Sequence, residues 1–234
     1  MTSTRSATRT IAMLRLSVGA GAIALLGWTY VIGIPRSGAN PFDYFGYFTN
    51  LTTLITSTIL VTVALTVNRG RTAPVWLSTA RGAAVACMIV VGLVYNLLVP
   101  GTGSAPPWVS MILHTVLPIL LVLDWTLIDD RPSLPWRRLW LVLPYPLLWL
   151  AVVLVRGVTD GWVPYGFLLP ERGLPSLLAH VTGLLATLLC AGAVVWLLSR
   201  VRLSGPRLPD SGLSGPKSAR RRRRSAQGHP AAHP

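Results

Sequence analysis

The sequence predicts an all-α fold, a polytopic bundle of six transmembrane helices, and three observations support this class. Of the 234 residues, 52% are hydrophobic and 12% are charged, whereas a soluble domain carries about 25% charged residues. Apolar stretches of about 20 residues, the length needed to cross the hydrocarbon core, occur six times. Lys and Arg outnumber Asp and Glu by 21 to 7, mostly outside these stretches. This composition excludes a soluble secreted or cytosolic enzyme.

The six predicted spans are separated by Pro, Gly and charged residues. The first span follows Arg5 and Arg9, as the apolar core of a signal peptide would. Its apolar run is long and no small-residue cleavage site ends it, so we interpret it as a retained helix after a cytoplasmic N-terminus, residues 1–10. The predicted spans are residues 11–34, 44–67, 82–99, 108–128, 136–155 and 175–198.

The distribution of positive charge predicts the orientation in the cell membrane. With six spans, 18 of the 21 Lys and Arg residues fall on the side of the two termini, and the other side holds Arg36, Arg156 and Arg172. The positive-inside rule then places both termini in the cytoplasm (N-in/C-in). Most tryptophans lie near predicted span ends, as an aromatic belt requires, and Trp149 alone lies deep in a span.

The C-terminal segment, residues 199–234, is predicted to be a disordered cytoplasmic tail. It is rich in Gly, Pro, Ser and Arg, with five consecutive arginines at 220–224, and such a segment cannot bury enough apolar surface to fold. Two interpretations stay open, docking on anionic lipid headgroups or enforcement of topology alone. The net charge of +14 therefore indicates membrane lipids as partners rather than nucleic acid, and protein partners are unknown.

Cofactor and metal sites are not expected. The two cysteines, Cys87 and Cys190, both lie in apolar stretches, so neither a disulfide scaffold nor a Cys-rich metal site is available. The sequence also contains no Gly-rich phosphate loop and no His/Cys cluster with metal-ligand spacing.

Polar residues inside the spans are the natural functional candidates because they are costly in a membrane. Thr49, His114 and His180 lie on three different spans, each about 7 to 9 Å below the predicted outer boundary at 1.5 Å per residue. Tyr95 and Asn96 lie near the outer end of the third span and join this layer. The sequence therefore predicts a polar layer near the outer leaflet.

The second span carries four threonines at helical spacing, Thr49, Thr52, Thr53 and Thr56, which places their hydroxyls on one face. For the lower three, the expected role is a hydrogen bond to the carbonyl four residues earlier, or close helix packing. Thr49 differs because it lies at the depth of the two histidines.

A hydroxyl and an imidazole at one depth form the minimum set for nucleophilic acyl transfer, because the imidazole can remove the hydroxyl proton. Thr49 is therefore the candidate nucleophile, and a histidine at its depth, His114 or His180, is the candidate base. An oxyanion would also need donors, and the available candidates are Asn50, Asn96 and the Tyr95 hydroxyl.

The segments around Thr49 and His114 resemble those of a known family. Tyr47-Phe48-Thr49 on the second span and His114-Thr115-Val116-Leu117-Pro118 on the fourth resemble the androgen-induced-protein family of six-span membrane hydrolases and their bacterial integral membrane relatives. The resemblance implies an all-helical bundle, Thr49 as the nucleophile, His114 on another helix as its base, and lipid esters, such as fatty acid esters of hydroxy fatty acids, as substrates. With these roles, His180 is predicted to line or orient the site. Further similarity lies in residues 94–98, 124–125, 134–137 and 161–168.

Other functions stay open at this point. His114 and His180 could together ligate a b-type haem if their helices face each other. A transporter is disfavoured because the spans contain almost no carboxylates, and Asp124, near an inner end, can reach water or a cytoplasmic arginine. A non-catalytic regulator or scaffold is the remaining alternative. Pro118, Pro144 and Pro146 are expected to distort their helices and free carbonyls toward the interior.

Overall fold

The computed structural model describes residues 2–102 and 105–201, with only the backbone described for residues 2–5, 36 and 37. This part of the chain consists of helices and loops without a β-strand. Its α-helices are α1 (Thr2–Ser37), α2 (Pro41–Gly46), α3 (Phe48–Asn68), α4 (Val75–Leu93), α5 (Pro107–Met111), α6 (Leu117–Leu127), α7 (Pro144–Thr159) and α8 (Leu174–Leu198). π-helical turns follow α4 at Val94–Leu98 and α5 at Ile112–Val116.

Six helical segments within the described ranges are long and apolar enough to cross a membrane, which agrees with the prediction. They are Ser6–Pro35, Phe48–Asn68, Val75–Leu98, Pro107–Leu127, Trp136–Thr159 and Leu174–Leu198. We number them as spans one to six. The sidedness stays a prediction from the charge distribution. The predicted tail lies outside the described residues, apart from its first three positions.

Two span boundaries differ from the prediction for identifiable reasons. Span three begins at Val75 rather than near residue 82, because Arg81 continues the helix and is buried instead of ending it. Span two begins at Phe48 rather than near residue 44, because a separate short helix precedes it. The Asn40 side chain accepts a hydrogen bond from the Phe42 amide and thereby caps α2.

Span three is the central helix of the bundle. Ala86 and Met88 on α4 are fully buried, in one apolar cluster with residues of spans one, two, four, five and six. Small residues permit the close approach of neighbouring helices. A Cβ added at Gly82 would lie 2.9 Å from the Leu134 side chain, and one added at Gly192 would lie 3.0 Å from Leu139. Close contacts of this kind occur between span three and the segment before span five and between spans five and six, and span three is the most buried of the six spans.

A buried ionic network joins spans one, three and four at one end of the bundle. The Arg15 guanidinium bonds Asp124 through Nε at 2.7 Å and also bonds Asp130, while Arg81 Nη2 lies 2.7 Å from Asp130 Oδ1. Arg15 and Arg81 are buried, and so is Asp130. The expectation that Asp124 reaches an arginine is confirmed. We call these four residues, together with Arg131, the arginine cluster.

Trp125 extends the arginine cluster to span six. Its fully buried ring lies between two guanidinium groups, with Arg81 Cζ 5.1 Å and Arg131 Cζ 5.2 Å from the ring centroid. Trp125 Nε1 donates to the Val195 carbonyl at 3.0 Å, and Arg131 Nη2 donates to the Leu198 carbonyl at 2.9 Å. Four of the six spans therefore meet at this cluster.

The prolines distort spans four and five, as predicted. In span four the π-helical turn Ile112–Val116 comes immediately before Pro118, and the Leu117 amide bonds the Ile112 carbonyl five residues earlier. Span five is divided into a 3-10 helix, Trp136–Val142, and α7, which begins at Pro144. The π-helical turn of span three has no proline and was not predicted.

The threonines of α3 form two groups. On the exposed face, Oγ1 donates to the carbonyl four residues earlier at 2.7–2.8 Å, in Thr58, Thr62 and Thr66. The buried face differs from the sequence expectation, because Thr52 Oγ1 instead bonds the Tyr145 hydroxyl at 2.7 Å. Thr53 and Thr56 are buried, and their hydroxyls have no partner among the described residues.

Asp130→Asn is expected to destabilise the protein by about 3 to 5 kcal/mol, because the buried Arg81 guanidinium loses its carboxylate partner and the buried Arg15 guanidinium loses one of two. Burial opposes ionisation, but Arg81 and Arg15 outweigh it and hold the pKa of Asp130 well below its usual range. The stabilisation should therefore be complete above the ordinary aspartate range and disappear only as the pH falls through the depressed pKa. Thermal unfolding in detergent tests this. Asp160→Asn, at an exposed ion pair, is the matched control and should change little.

Thr52→Val and Thr53→Val should have opposite effects although they remove the same atom from adjacent residues. Thr52→Val leaves the Tyr145 hydroxyl without its partner and should cost about 1 to 2 kcal/mol. Thr53→Val removes a buried hydroxyl that has no partner, so stability should be unchanged or increased. Unfolding temperatures of the two variants check this, and an equal loss in both would contradict the hydrogen-bond assignment.

Candidate active site

A cavity of about 610 Å³ opens at the end of the bundle opposite the arginine cluster. All six spans contribute to its wall, and the loop between spans five and six completes it. The interior is mostly apolar, with Val90, Val91, Val94, Leu184 and Leu188 among the lining residues. A mainly apolar cavity of this volume, with a few polar groups, is typical of a site for a small ligand.

Four of the six predicted site residues line this cavity. They are Thr49, Asn50, Tyr95 and His114. The other two, Asn96 and His180, are not among the lining residues. The structure therefore brings the proposed nucleophile and the proposed base to one cavity from spans two and four.

Thr49 is the second residue of α3. The first amides of a helix have no carbonyl partner within that helix, and here the earliest amide bonded to the preceding turn is that of Leu51, which donates to the Tyr47 carbonyl at 3.1 Å. The Thr49 hydroxyl therefore lies among donors that can stabilise negative charge. It is buried at the edge of the cavity.

Tyr165 approaches the start of α3 from the loop between spans five and six. Burial raises the pKa of Tyr165 to about 12, against the opposing effect of hydrogen bonding from the Thr49 hydroxyl and from the amides of Thr49 and Phe48. Its ring stacks on Phe167 with centroids 5.3 Å apart. Tyr165 is thus a neutral phenol beside the proposed nucleophile. It is not among the site residues predicted from the sequence.

His114 lies on the π-helical turn of span four. Its Nδ1 lies 2.8 Å from the Ser110 carbonyl, which accepts a hydrogen bond and therefore selects the tautomer that carries its proton on Nδ1. The lone pair of Nε2 is then available as a base. The imidazole stacks on Tyr95 with centroids 3.7 Å apart and an interplanar angle of 13°.

His180 has a similar local arrangement in a different place. Its Nδ1 lies 2.8 Å from the Ser176 carbonyl, and its ring stacks on Phe167 at 5.6 Å. The two histidines share a depth in the sequence, but only His114 lines the cavity. A haem ligated by both histidines would need both at one cavity, and His180 is not among the residues that line this one.

The two asparagines predicted as candidate oxyanion donors donate hydrogen bonds to backbone carbonyls in this structure. Asn50 Nδ2 donates to the Tyr44 carbonyl at 2.9 Å and so attaches α2 to α3. Asn96 Nδ2 donates to the Gly92 carbonyl at 2.8 Å and to the His114 carbonyl at 3.2 Å. Asn50 still lines the cavity, whereas Asn96 lies at the contact between spans three and four.

Aromatic rings form much of the cavity rim and were not selected from the sequence. Tyr47 meets Trp162 at 5.8 Å and Tyr165 at 6.0 Å, edge to face in both cases. Trp149 Nε1 donates to the Gly46 carbonyl at 2.8 Å. The position of Trp149 deep in a span, away from the predicted aromatic belt, was the available signal for a role in the site.

A group of ion pairs connects α2 to span five and the loop after it at the cavity rim. Arg156 Nη2 bonds Asp43 of α2 at 2.7 Å and Asp160 at 2.8 Å, and its guanidinium lies 4.2 Å from the Trp162 ring centroid. The Trp162 amide and Arg156 hold the pKa of Asp160 below its usual value. Tyr44 completes the attachment of α2 by bonding the Thr29 hydroxyl at 2.5 Å and the Leu26 carbonyl at 2.9 Å.

The chain was compared with protein-family models, with curated proteins and with solved structures. None of the three comparisons returns a match. The functional argument therefore depends on the residues of the cavity themselves.

Gly46→Ala should disturb the cavity rim, because a Cβ at this position would lie 2.3 Å from Trp162 Cη2. We expect a loss of stability of about 1 to 3 kcal/mol, typical of overpacking, and a shift of tryptophan fluorescence. Gly27→Ala is the control, since a Cβ there meets nothing within 4 Å. Equal unfolding temperatures and equal emission spectra for the two variants would contradict the close packing of Trp162 on Gly46.

Proposed function

We propose that this protein is an integral membrane hydrolase that cleaves lipid esters, with Thr49 as the nucleophile and His114 as the general base. The observation that carries the proposal is the convergence of Thr49 and His114 on one mostly apolar cavity, with His114 Nδ1 occupied by the Ser110 carbonyl. An acyl chain fits the apolar interior, and an ester carbonyl fits the polar edge beside Thr49.

The reaction follows from the chemistry of the two side chains. Thr49 Oγ1 attacks the ester carbonyl carbon while His114 Nε2 accepts the hydroxyl proton. The tetrahedral intermediate collapses, the ester bond to the alcohol oxygen breaks, and His114 returns the proton to the leaving alcohol. A water molecule deprotonated by His114 then attacks the acyl-threonine, which releases the fatty acid and restores Thr49.

Charge on the carbonyl oxygen needs donors that are already in place. The candidates are the amides of Phe48 and Thr49, at the start of α3, and the Tyr165 hydroxyl, with which these amides and the Thr49 hydroxyl interact. Because Tyr165 keeps its proton at neutral pH, it can donate to an oxyanion. This set replaces the asparagine side chains considered from the sequence, of which Asn96 lies outside the cavity.

Two further features support the proposal. The resemblance to the androgen-induced-protein family implies the same Thr and His pair and lipid-ester substrates. Under the orientation predicted from charge, the cavity adjoins the outer leaflet, so a lipid would enter from that leaflet. The Arg-rich tail, on the opposite side, is proposed to bind anionic headgroups.

Active-site labelling of the detergent-solubilised protein with a lipid-like fluorophosphonate tests the proposal. Wild type and Thr49→Ser are expected to be labelled at residue 49, whereas Thr49→Ala and His114→Ala should lose at least about 99% of the labelling rate, as expected when a nucleophile or its base is removed. Mass spectrometry of the labelled peptide locates the adduct.

His180→Ala is the matched control for His114→Ala, because both imidazoles bond the carbonyl four residues earlier at 2.8 Å and stack on an aromatic ring. It should keep the wild-type labelling rate. Absence of label on folded wild type would overturn the hydrolase proposal and favour a non-catalytic membrane regulator. An equal loss of labelling in His114→Ala and His180→Ala would contradict the assignment of His114 as the general base.

A further inference from the structure

We propose that Asn96 and Tyr95, which are adjacent on the π-helical turn of span three, are positioning residues that orient His114 toward the cavity. The inference rests on the proposed role of His114 as the base. Neither residue needs to touch the reacting atoms, because Asn96 acts on the backbone of His114 and Tyr95 acts on its ring.

The need for Asn96 arises from Pro118. In an α-helix the amide of residue 118 would donate to the carbonyl of residue 114, but proline has no amide proton. The His114 carbonyl thereby loses that partner, and a carbonyl without a partner is costly inside a membrane. The residue that carries the proposed base is thus also the residue whose α-helical backbone partner the proline removes.

Asn96 supplies that donor from the neighbouring span. Its Nδ2 lies 3.2 Å from the His114 carbonyl and 2.8 Å from the Gly92 carbonyl. The Thr115 hydroxyl donates to Asn96 Oδ1 at 3.3 Å. Its oxygen also lies 3.2 Å from Nδ2, whose two protons are shared with the Gly92 and His114 carbonyls. One amide side chain therefore joins the two π-helical turns at the position of the base.

The close approach of the two spans depends on Gly92. A Cβ added there would lie 3.1 Å from the His114 carbonyl oxygen and 3.5 Å from Pro118 Cβ. Because Gly92 has no side chain, the backbone of span four comes near enough for Asn96 to reach it.

Tyr95 completes the arrangement at the imidazole. The two rings are nearly parallel, at 13°, with centroids 3.7 Å apart, so one face of the imidazole is covered. The Ser110 carbonyl holds Nδ1 at 2.8 Å. With its ring plane and Nδ1 both fixed, the imidazole has one free nitrogen, Nε2, and His114 lines the cavity.

A double-mutant cycle between Asn96 and Pro118 tests the backbone part of the proposal. Asn96→Leu should lower the fluorophosphonate labelling rate of Thr49 by about tenfold to a hundredfold, as expected for a misplaced catalytic group. Pro118→Ala restores an amide that can bond the His114 carbonyl, so in that background Asn96→Leu should cost about threefold or less. Equal losses in both backgrounds, or no loss in either, would overturn this role for Asn96.

Tyr95 variants separate ring stacking from hydroxyl chemistry. Tyr95→Phe keeps the stacked ring and should label at the wild-type rate, whereas Tyr95→Leu should lose about tenfold or more. Loss of labelling in Tyr95→Phe would overturn the positioning role, because it would mean that the hydroxyl acts on the substrate, as an oxyanion donor would.

A second measurement does not depend on catalysis. The rate at which diethyl pyrocarbonate modifies His114 is followed by mass spectrometry, with His180 in the same sample as the internal reference. Tyr95→Leu and Asn96→Leu should raise the ratio of His114 to His180 modification several-fold, and Tyr95→Phe should leave it unchanged. Raised ratios without any Thr49 labelling in wild type would refute the hydrolase while supporting the arrangement around His114. Unchanged ratios would refute that arrangement whatever the labelling shows.

Discussion

In the interior of a bilayer no water satisfies polar groups, so a buried donor or acceptor is costly unless it finds a partner within the protein. This constraint explains the most specific features of the bundle. The guanidinium of Arg15 in span one pairs through Nε with Asp124 of span four and through Nη1 with Asp130 of the loop that follows it. The carbonyl of His114, which Pro118 deprives of its helical amide, is satisfied by Asn96 from span three. The buried charge of Arg15 and the distortion at Pro118 are thus each compensated by side chains from other parts of the chain.

The two ends of the bundle meet this constraint in different ways. At the arginine cluster, charges pair with one another around the fully buried Trp125, and that end is closed. At the cavity, the groups attached to one another are mainly those of the rim, such as Arg156 with Asp43 and Trp149 with the Gly46 carbonyl. The interior groups Thr49 and His114 keep capacity for further hydrogen bonds. A closed end and an end with an open, mostly apolar cavity suit the proposed site, which would have to hold its geometry while it exchanges lipids.

Much of the fold was predictable because membrane spans depend on length and apolarity, which are local properties of the sequence. The predicted start of span three, residue 82, is wrong because a charged residue such as Arg81 is typical of the end of a membrane span. Only its contact with Asp130, 49 residues away, shows why the helix continues through it. The convergence of Thr49 and His114 agrees with their common depth. Tyr165 could not be placed because it belongs to a loop, where helical periodicity carries no information.

Asn96 illustrates a different limit. Its residue type and depth suggested an oxyanion donor, but its amide is committed to the contact between spans three and four. The signal for that role was present in the sequence as Pro118, four residues after His114. It could be used only once the structure had shown which asparagine lies against that carbonyl.

The ionic network also has a consequence for how the chain is made. Arg15 is synthesised before its partners Asp124 and Asp130, which follow 109 and 115 residues later. At ordinary elongation rates this interval is on the order of ten seconds. During that time Arg15 has neither of its native carboxylates, and an unpaired arginine is costly in a lipid environment. Span one therefore reaches its final position only after span four and the loop that follows it have been synthesised. The synthesis of these two aspartates thus sets the order in which the bundle assembles.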